Sequence, residues 1–106
     1  MSSCEFKDLG EGKFALNGEL GFATVDELLN RSKDMFADYS NISIDFSGVT
    51  SSDSAGLALL LEWVNWAKHY VREIRYDNMP EQIRAIAEIS EVDTMLRAGE
   101  RWTGQF

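Results

Sequence analysis

From Asn41 the chain alternates, with Ile42, Ile44 and Phe46 on one side and Ser43, Asp45 and Ser47 on the other. A strand with one buried face has that period of two. The pattern predicts that this strand stops at Gly48. Upstream, CEFKDL and KFALNG read as two short strands joined at Gly10-Glu11-Gly12, a connection short and glycine-rich enough for a hairpin. Between them and Asn41 the period becomes helical: Val25, Leu28, Leu29, Phe36 and Tyr39 recur along residues 24–39. Thr24 and Glu27 supply a T-x-x-E capping box at its start.

A long helix is predicted from Ser54 to Tyr70, then a short strand in REIRYD, then a helix near Pro80 to Ile89 that gathers Ile83, Ile86 and Ala87 on one face. Asn78 with Glu81 offers that last helix a cap, and Pro80 falls in its first turn, where a missing N–H is harmless. Beyond Glu91 two readings stand. Asp93 to Ala98 forms one more short helix, with Trp102 and Phe106 as anchors onto the body, or the segment orders only on binding. Strands alternating with helices of this length predict one α/β domain over residues 1–106, a mixed sheet of about four strands with helices mainly on one face.

Composition narrows the function. Ten Lys and Arg against eighteen Asp and Glu leave a net charge of −8, which repels phosphate backbones and anionic headgroups, so nucleic acid is not an expected partner and no direct membrane insertion is expected. With Cys4 as the only cysteine, an intramolecular disulfide and a cysteine-built metal site are both excluded, and a reducing compartment fits. No apolar run reaches signal-peptide length near the start. The longest apolar block, Leu57 to Leu61, is far below the roughly 20 residues of a membrane span, so the expectation is a cytoplasmic protein.

The stretch VTSSDSAGLALLL at 49–61 sets small polar residues directly against the most hydrophobic helix. Asp53 stands where an N-cap belongs, able to accept from the unpaired amides of the first turn. Ala55 and Gly56 carry almost no side chain, although glycine inside a helix costs about 1 kcal/mol against alanine. Something approaches closely there, either a neighbouring element of the same chain or another protein's backbone. Ser54, at the first helical position, lies at the positive end of the helix dipole, where a phosphate or an acidic partner is favoured. Along the same helix Leu57, Leu60, Leu61, Val64, Ala67 and Val71 make one apolar face, and Leu59, Trp63, Trp66 and Tyr70 extend it beyond the width that one-sided packing needs. Either the other helices cover that aromatic side, or Trp66 and its neighbours meet a partner.

Three segments carry a family resemblance: LNGEL at 16–20, SIDFSGVTSSDSAGLALLLEWVNWAK at 43–68, and the strand and helix that follow. Over about residues 13–90 the chain resembles the STAS domain, the module of anti-anti-sigma factors and of sulfate-transporter tails. The family's Asp-apolar-Ser-x-Val and Asp-Ser-x-Gly-Leu motifs stand here as Asp45-Phe46-Ser47-Gly48-Val49 and Asp53-Ser54-Ala55-Gly56-Leu57. Within the family the helix is most similar to the small cytoplasmic STAS subunits of Gram-negative phospholipid ABC transporters. That resemblance implies a subunit bound to the transporter's ATPase, cytoplasmic and peripheral to the inner membrane, serving outer-membrane lipid asymmetry. It places a signature hydroxyl at Ser54. In anti-anti-sigma factors the same position is a serine phosphorylated by a partner kinase, which gives the alternative function and partner. Gly21 stands where the family often has Asp after Gly-Glu-Leu, so partner contacts made by that first loop are not carried over. Ser51 and Ser52 stand where many anti-anti-sigma factors have bulky apolar residues, which favours the transporter branch.

The expected partner-binding set is therefore Ser51, Ser52, Asp53, Ser54, Ala55, Gly56, Leu57 and Trp66, with Ser54 also the candidate phosphorylation site. No catalytic residue, metal or cofactor is expected. Ser54 has no base within reach, since His69 is about four turns along the same helix. One His and one Cys do not make a metal site, and no Gly-x-x-x-x-Gly-Lys loop is present to hold a nucleotide.

Overall fold

The inward residues of the alternating segment, Ile42, Ile44 and Phe46, are all buried, and they belong to the central part of a four-stranded sheet. The computed structural model describes residues 3–90. The elements follow in the order β1 (Cys4–Gly10), β2 (Lys13–Leu20), α1 (Val25–Met35), β3 (Asn41–Ser52), α2 (Ser54–Tyr70), β4 (Glu73–Asp77) and α3 (Glu81–Ile89). The expected alternatives for Asp93 to Ala98, Trp102 and Phe106 fall outside the described residues.

Sheet order is β1-β2-β3-β4, with β1 and β2 antiparallel and both β2–β3 and β3–β4 parallel. The hairpin turns at Gly10-Glu11-Gly12, all three with positive φ, which is why glycine occupies two of the positions. The parallel pairs need crossovers, and α1 and α2 supply them. One sheet face is buried by Phe14, Leu16, Ile44, Ile74 and Tyr76, while Lys13, Ser43 and Arg75, register neighbours across three strands, line the other. This is the mixed α/β sheet expected from the sequence.

Two long-range hydrogen bonds within the chain fix how α2 sits. The Trp63 indole N–H donates to the buried Ser32 hydroxyl at 2.9 Å, which ties α2 to α1, and that hydroxyl donates in turn to the Leu29 carbonyl at 2.7 Å. The Tyr76 hydroxyl donates to the Leu60 carbonyl at 2.6 Å, which ties β4 to α2. Burial pushes the Tyr76 phenol well above its usual pKa, so it stays a donor. Around Trp63 the rings of Phe6, Phe14 and Phe36 meet mostly edge to face, with Phe14 and Phe36 centred 5.2 Å apart.

Three local expectations are corrected. Gly48 does not end β3, which runs on to Ser52 because β2 stays beside it: Gly18 pairs with Val49, and Leu20 with Ser52, across two register shifts. Glycine is favoured at 48 for another reason: a Cβ there would lie 2.9 Å from the Leu16 carbonyl oxygen, a strand backbone atom that cannot rotate away, as well as 1.7 Å from the Asn17 side-chain oxygen. Thr24 makes no side-chain cap. Its hydroxyl donates back to the Glu19 carbonyl at 2.8 Å and accepts from the Gly21 amide, so it ties the β2–α1 loop together instead. Asn78 does not cap α3 either, because its amide donates to Asp45 Oδ1 at 2.9 Å on the open sheet face, leaving Pro80 at the cap position.

Candidate functional site

Asp53 organises the junction between β3 and α2. Its backbone is extended, which directs the carboxylate at the helix: Oδ1 accepts from the amides of Ala55 (2.8 Å) and Gly56 (3.3 Å). Oδ2 accepts from the Phe22 amide at 3.2 Å, so one side chain caps α2 and holds the β2–α1 loop against it. The cap is as the sequence predicts. The second arm is not visible in the sequence, because it spans 31 positions.

The two small residues beside Asp53 answer to the protein's own packing. A Cβ on Gly21 would come within 2.6 Å of Asp53 Oδ2, so the family's usual Asp at that position would collide with the latch as well as repel it. A Cβ on Gly56 would lie 2.8 Å from the Leu20 carbonyl oxygen and 3.1 Å from its side chain. The close approach inferred for Ala55-Gly56 is thus made at Gly56 by the end of β2. Gly56 and Leu57 are both buried and face inward.

Ser52 is half-buried, and both its amide and its hydroxyl donate to Gln82 Oε1 on α3, at 2.9 and 3.1 Å. Ser51 is half-buried and pairs with Glu19 in the sheet. Ser54 is different. It is exposed at the first position of α2, and its hydroxyl makes no hydrogen bond among the described residues.

Beside it stands a residue the sequence did not single out. Phe22, in the loop that Asp53 holds, is 86% exposed, the most exposed of the large hydrophobic residues in the described chain. A single aromatic in a loop belongs to no period, so the only available signal was its place directly after Gly21. Ala23 and Ala58, also exposed, keep the relief around Phe22 and Ser54 low.

Trp66 does not share this patch. It is twelve residues further along α2, roughly 18 Å, and half-buried, its ring 5.5 Å from both Phe36 and Tyr70. Of the aromatic side of α2, Leu59 and Trp63 are buried, whereas Tyr70 is exposed. The first alternative, coverage by other helices, therefore holds for half of that side only.

The groups that suggest chemistry are separated or engaged. His69 is exposed against the Tyr70 ring at the far end of α2 from Ser54. Asp45 lies on the open face, where the Asn78 amide and then the Ser47 amide hold its carboxyl below the usual value. Burial pushes the Cys4 thiol up to about 11, which keeps it protonated and a poor nucleophile. Among the described residues no cluster of His, Cys, Asp or Glu is arranged to hold a metal ion, and no helix is long and apolar enough to cross a membrane.

The family model described as "Mlab, STAS domain" matches residues 7–97, a span that takes in most of β1 as well as the segments where the resemblance is read from sequence. Among solved structures the chain is similar to the anti-sigma factor antagonist SpoIIAA in its unphosphorylated form. The TM-score is 0.66 at 15% identity, covering 86% of this chain and 83% of that one, a likeness of fold. No curated protein matches the chain.

Proposed function

The chain belongs to the STAS domain family, and from that premise we propose that it is a non-enzymatic subunit that docks the β3–α2 junction onto the ATPase of an ABC transporter for intermembrane phospholipid transport. The observation that carries this reading is the pairing of an exposed Phe22 with an unengaged Ser54 hydroxyl on a patch otherwise built of small residues. A buried aromatic anchor with a hydrogen-bonding rim is how a compact interface concentrates its energy. Asp53 serves by holding the patch in shape, since its carboxylate is already committed to three amides of its own chain. The family model's own description supports the transporter branch. On this reading the protein sits in the cytoplasm and reaches the membrane surface only through its partner.

The test is co-purification with the cognate ATPase. Ser54→Arg and Phe22→Asp both change exposed side chains, so each should fold and lose only a few degrees of melting temperature, the worth of one unfavourable surface charge, and still lose the complex. If both variants keep it, the docking surface lies elsewhere.

A second reading has its own support in the free Ser54 hydroxyl at a helix N-terminus and in the fold shared with an anti-sigma factor antagonist. In it a kinase phosphorylates Ser54 and so releases a bound regulator. Intact-mass measurement of protein from growing cells separates the two, because phosphate at Ser54 belongs to this reading alone.

A further inference from the structure

The seam between α1 and α2 is open along its length. Three cavities of about 190, 210 and 340 Å³ follow one another from the Ser54 end to the Tyr70 end. Neighbouring cavities share walls: Leu29 and Glu62 line the first and second, Lys33 and Trp66 the second and third. From Ala55 to Tyr70 this amounts to roughly 22 Å of α2.

Charge along the seam is sorted. The charged residues lining the first cavity, Asp26 and Glu62, are acidic; those lining the third, Lys33 and Arg72, are both cationic, in a protein whose net charge is −8. Arg72 is held in place by donating to the Ala37 and Tyr39 carbonyls, and its guanidinium lies 5.6 Å from the Trp66 ring centre. The Lys33 ammonium is exposed and has no ion pair or hydrogen bond among the described residues. Between these cations lie the half-buried Trp66 and the exposed Tyr70.

We propose that this seam is a second docking surface, distinct from the Phe22–Ser54 patch, which takes a linear polypeptide segment bearing an aromatic or leucine side chain next to a carboxylate. The apolar side chain enters against Trp66 and Tyr70, and the carboxylate meets Lys33 and Arg72. The seam continues from there toward Asp26 and Glu62, which favours a basic residue at the segment's other end and so fixes its direction. Length selects a polypeptide over a compact anion, and the protein's overall negative charge opposes an anionic lipid surface.

The experiment is selection from a library of random peptides about ten residues long, enough to run the seam extended. Enriched sequences should place Asp or Glu beside Phe, Tyr, Trp or Leu. A labelled representative should bind the wild type, weaken as salt rises, and lose about tenfold or more in affinity to Lys33→Glu and to Tyr70→Ala. Both variants change exposed side chains and should melt within a few degrees of the wild type, Lys33→Glu losing the favourable charge at the end of α1. Phe22→Asp and Ser54→Arg should leave peptide binding unchanged, which separates this surface from the junction. Four results would overturn the proposal: no enrichment, enriched peptides indifferent to Lys33→Glu and Tyr70→Ala, peptides lost on Phe22→Asp, or Lys33-dependent binding of phosphatidylglycerol vesicles in place of peptides.

Discussion

The two ends of α2 are each organised by one charged side chain, and they differ in what they leave free. At the start Asp53, an anion at the positive end of the dipole, accepts from two amides of its own helix and one of the β2–α1 loop. At the finish Arg72, a cation beyond the negative end, donates to two carbonyls following α1. The first arrangement satisfies the backbone and exposes a hydroxyl and a phenyl ring that nothing in the described chain uses. The second keeps a guanidinium beside an aromatic cavity. A charge that serves the fold can thus either clear a surface or contribute to it.

The largest effect expected from breaking this contrast is at Gly56. Valine there sets a branched Cβ 2.8 Å from the Leu20 carbonyl, a strand backbone atom that cannot rotate away, and the overpacking should cost about 3 kcal/mol in urea unfolding despite the better helix former. A loss under about 0.5 kcal/mol would show that the β2 end yields, and that the close approach is not a constraint.

Next comes the pair of organisers. Asp53→Ala removes the cap and the loop latch together and should cost about 2 kcal/mol, with faster hydrogen exchange at the Phe22 amide. Arg72→Met, which keeps an apolar stem, should cost about 1.5 kcal/mol. The sites lie roughly 25 Å apart along the helix, so the double variant should be additive to within about 0.5 kcal/mol. A larger coupling would mean that the two ends move as one unit.

The sequence revealed one of these organisers and hid the other for a plain reason. Asp53 caps amides two and three positions away, and local geometry of that kind is carried by residue type and position. Its latch to Phe22 and the reach of Arg72 to Tyr39 span more than thirty positions, and neither has a pattern before the elements are packed. The glycines divide in the same way. Gly56 announces a close approach without saying to what, and Gly48, which reads as a strand stop, instead makes room for the Leu16 carbonyl and the Asn17 side chain. Thr24 and Asn78 have the right residue types for caps, but in the folded chain each side chain is turned elsewhere, Thr24 donating to the Glu19 carbonyl and Asn78 to the Asp45 carboxylate, and neither oxygen accepts from a first-turn amide of its helix. The sheet, being a matter of period, was legible almost throughout; the docking patch was half legible, because Ser54 sits in a motif and Phe22 does not.

A smaller effect, and one of opposite sign, is expected just past the end of α2. Arg72 N–H donates to the Ala67 carbonyl and Val71 N–H to that of Lys68, a Schellman ending in which the left-handed residue is ordinarily glycine. Here it is Val71, with φ 55° and 74% exposed. Val71→Gly relieves the strain at some cost in chain entropy and should stabilise the domain by about 1 kcal/mol, read as a higher melting temperature. Destabilisation instead would mean that the exposed valine makes contacts that stiffen this end.

The smallest effect on stability is expected at Ser54, and it is the most discriminating. Its hydroxyl has no partner among the described residues, and Asp53 already satisfies the amides it might serve, so Ser54→Ala should change unfolding by no more than about 0.5 kcal/mol. Binding of the partner should nevertheless weaken by up to about tenfold, the worth of one interfacial hydrogen bond, measured by titration against the purified ATPase. The separation of the two readouts is what matters. A stability loss near that of Asp53→Ala would make the hydroxyl part of the cap. Unchanged binding would leave Phe22 alone to hold the patch, and the exposed serine would then mark a site for modification rather than for contact.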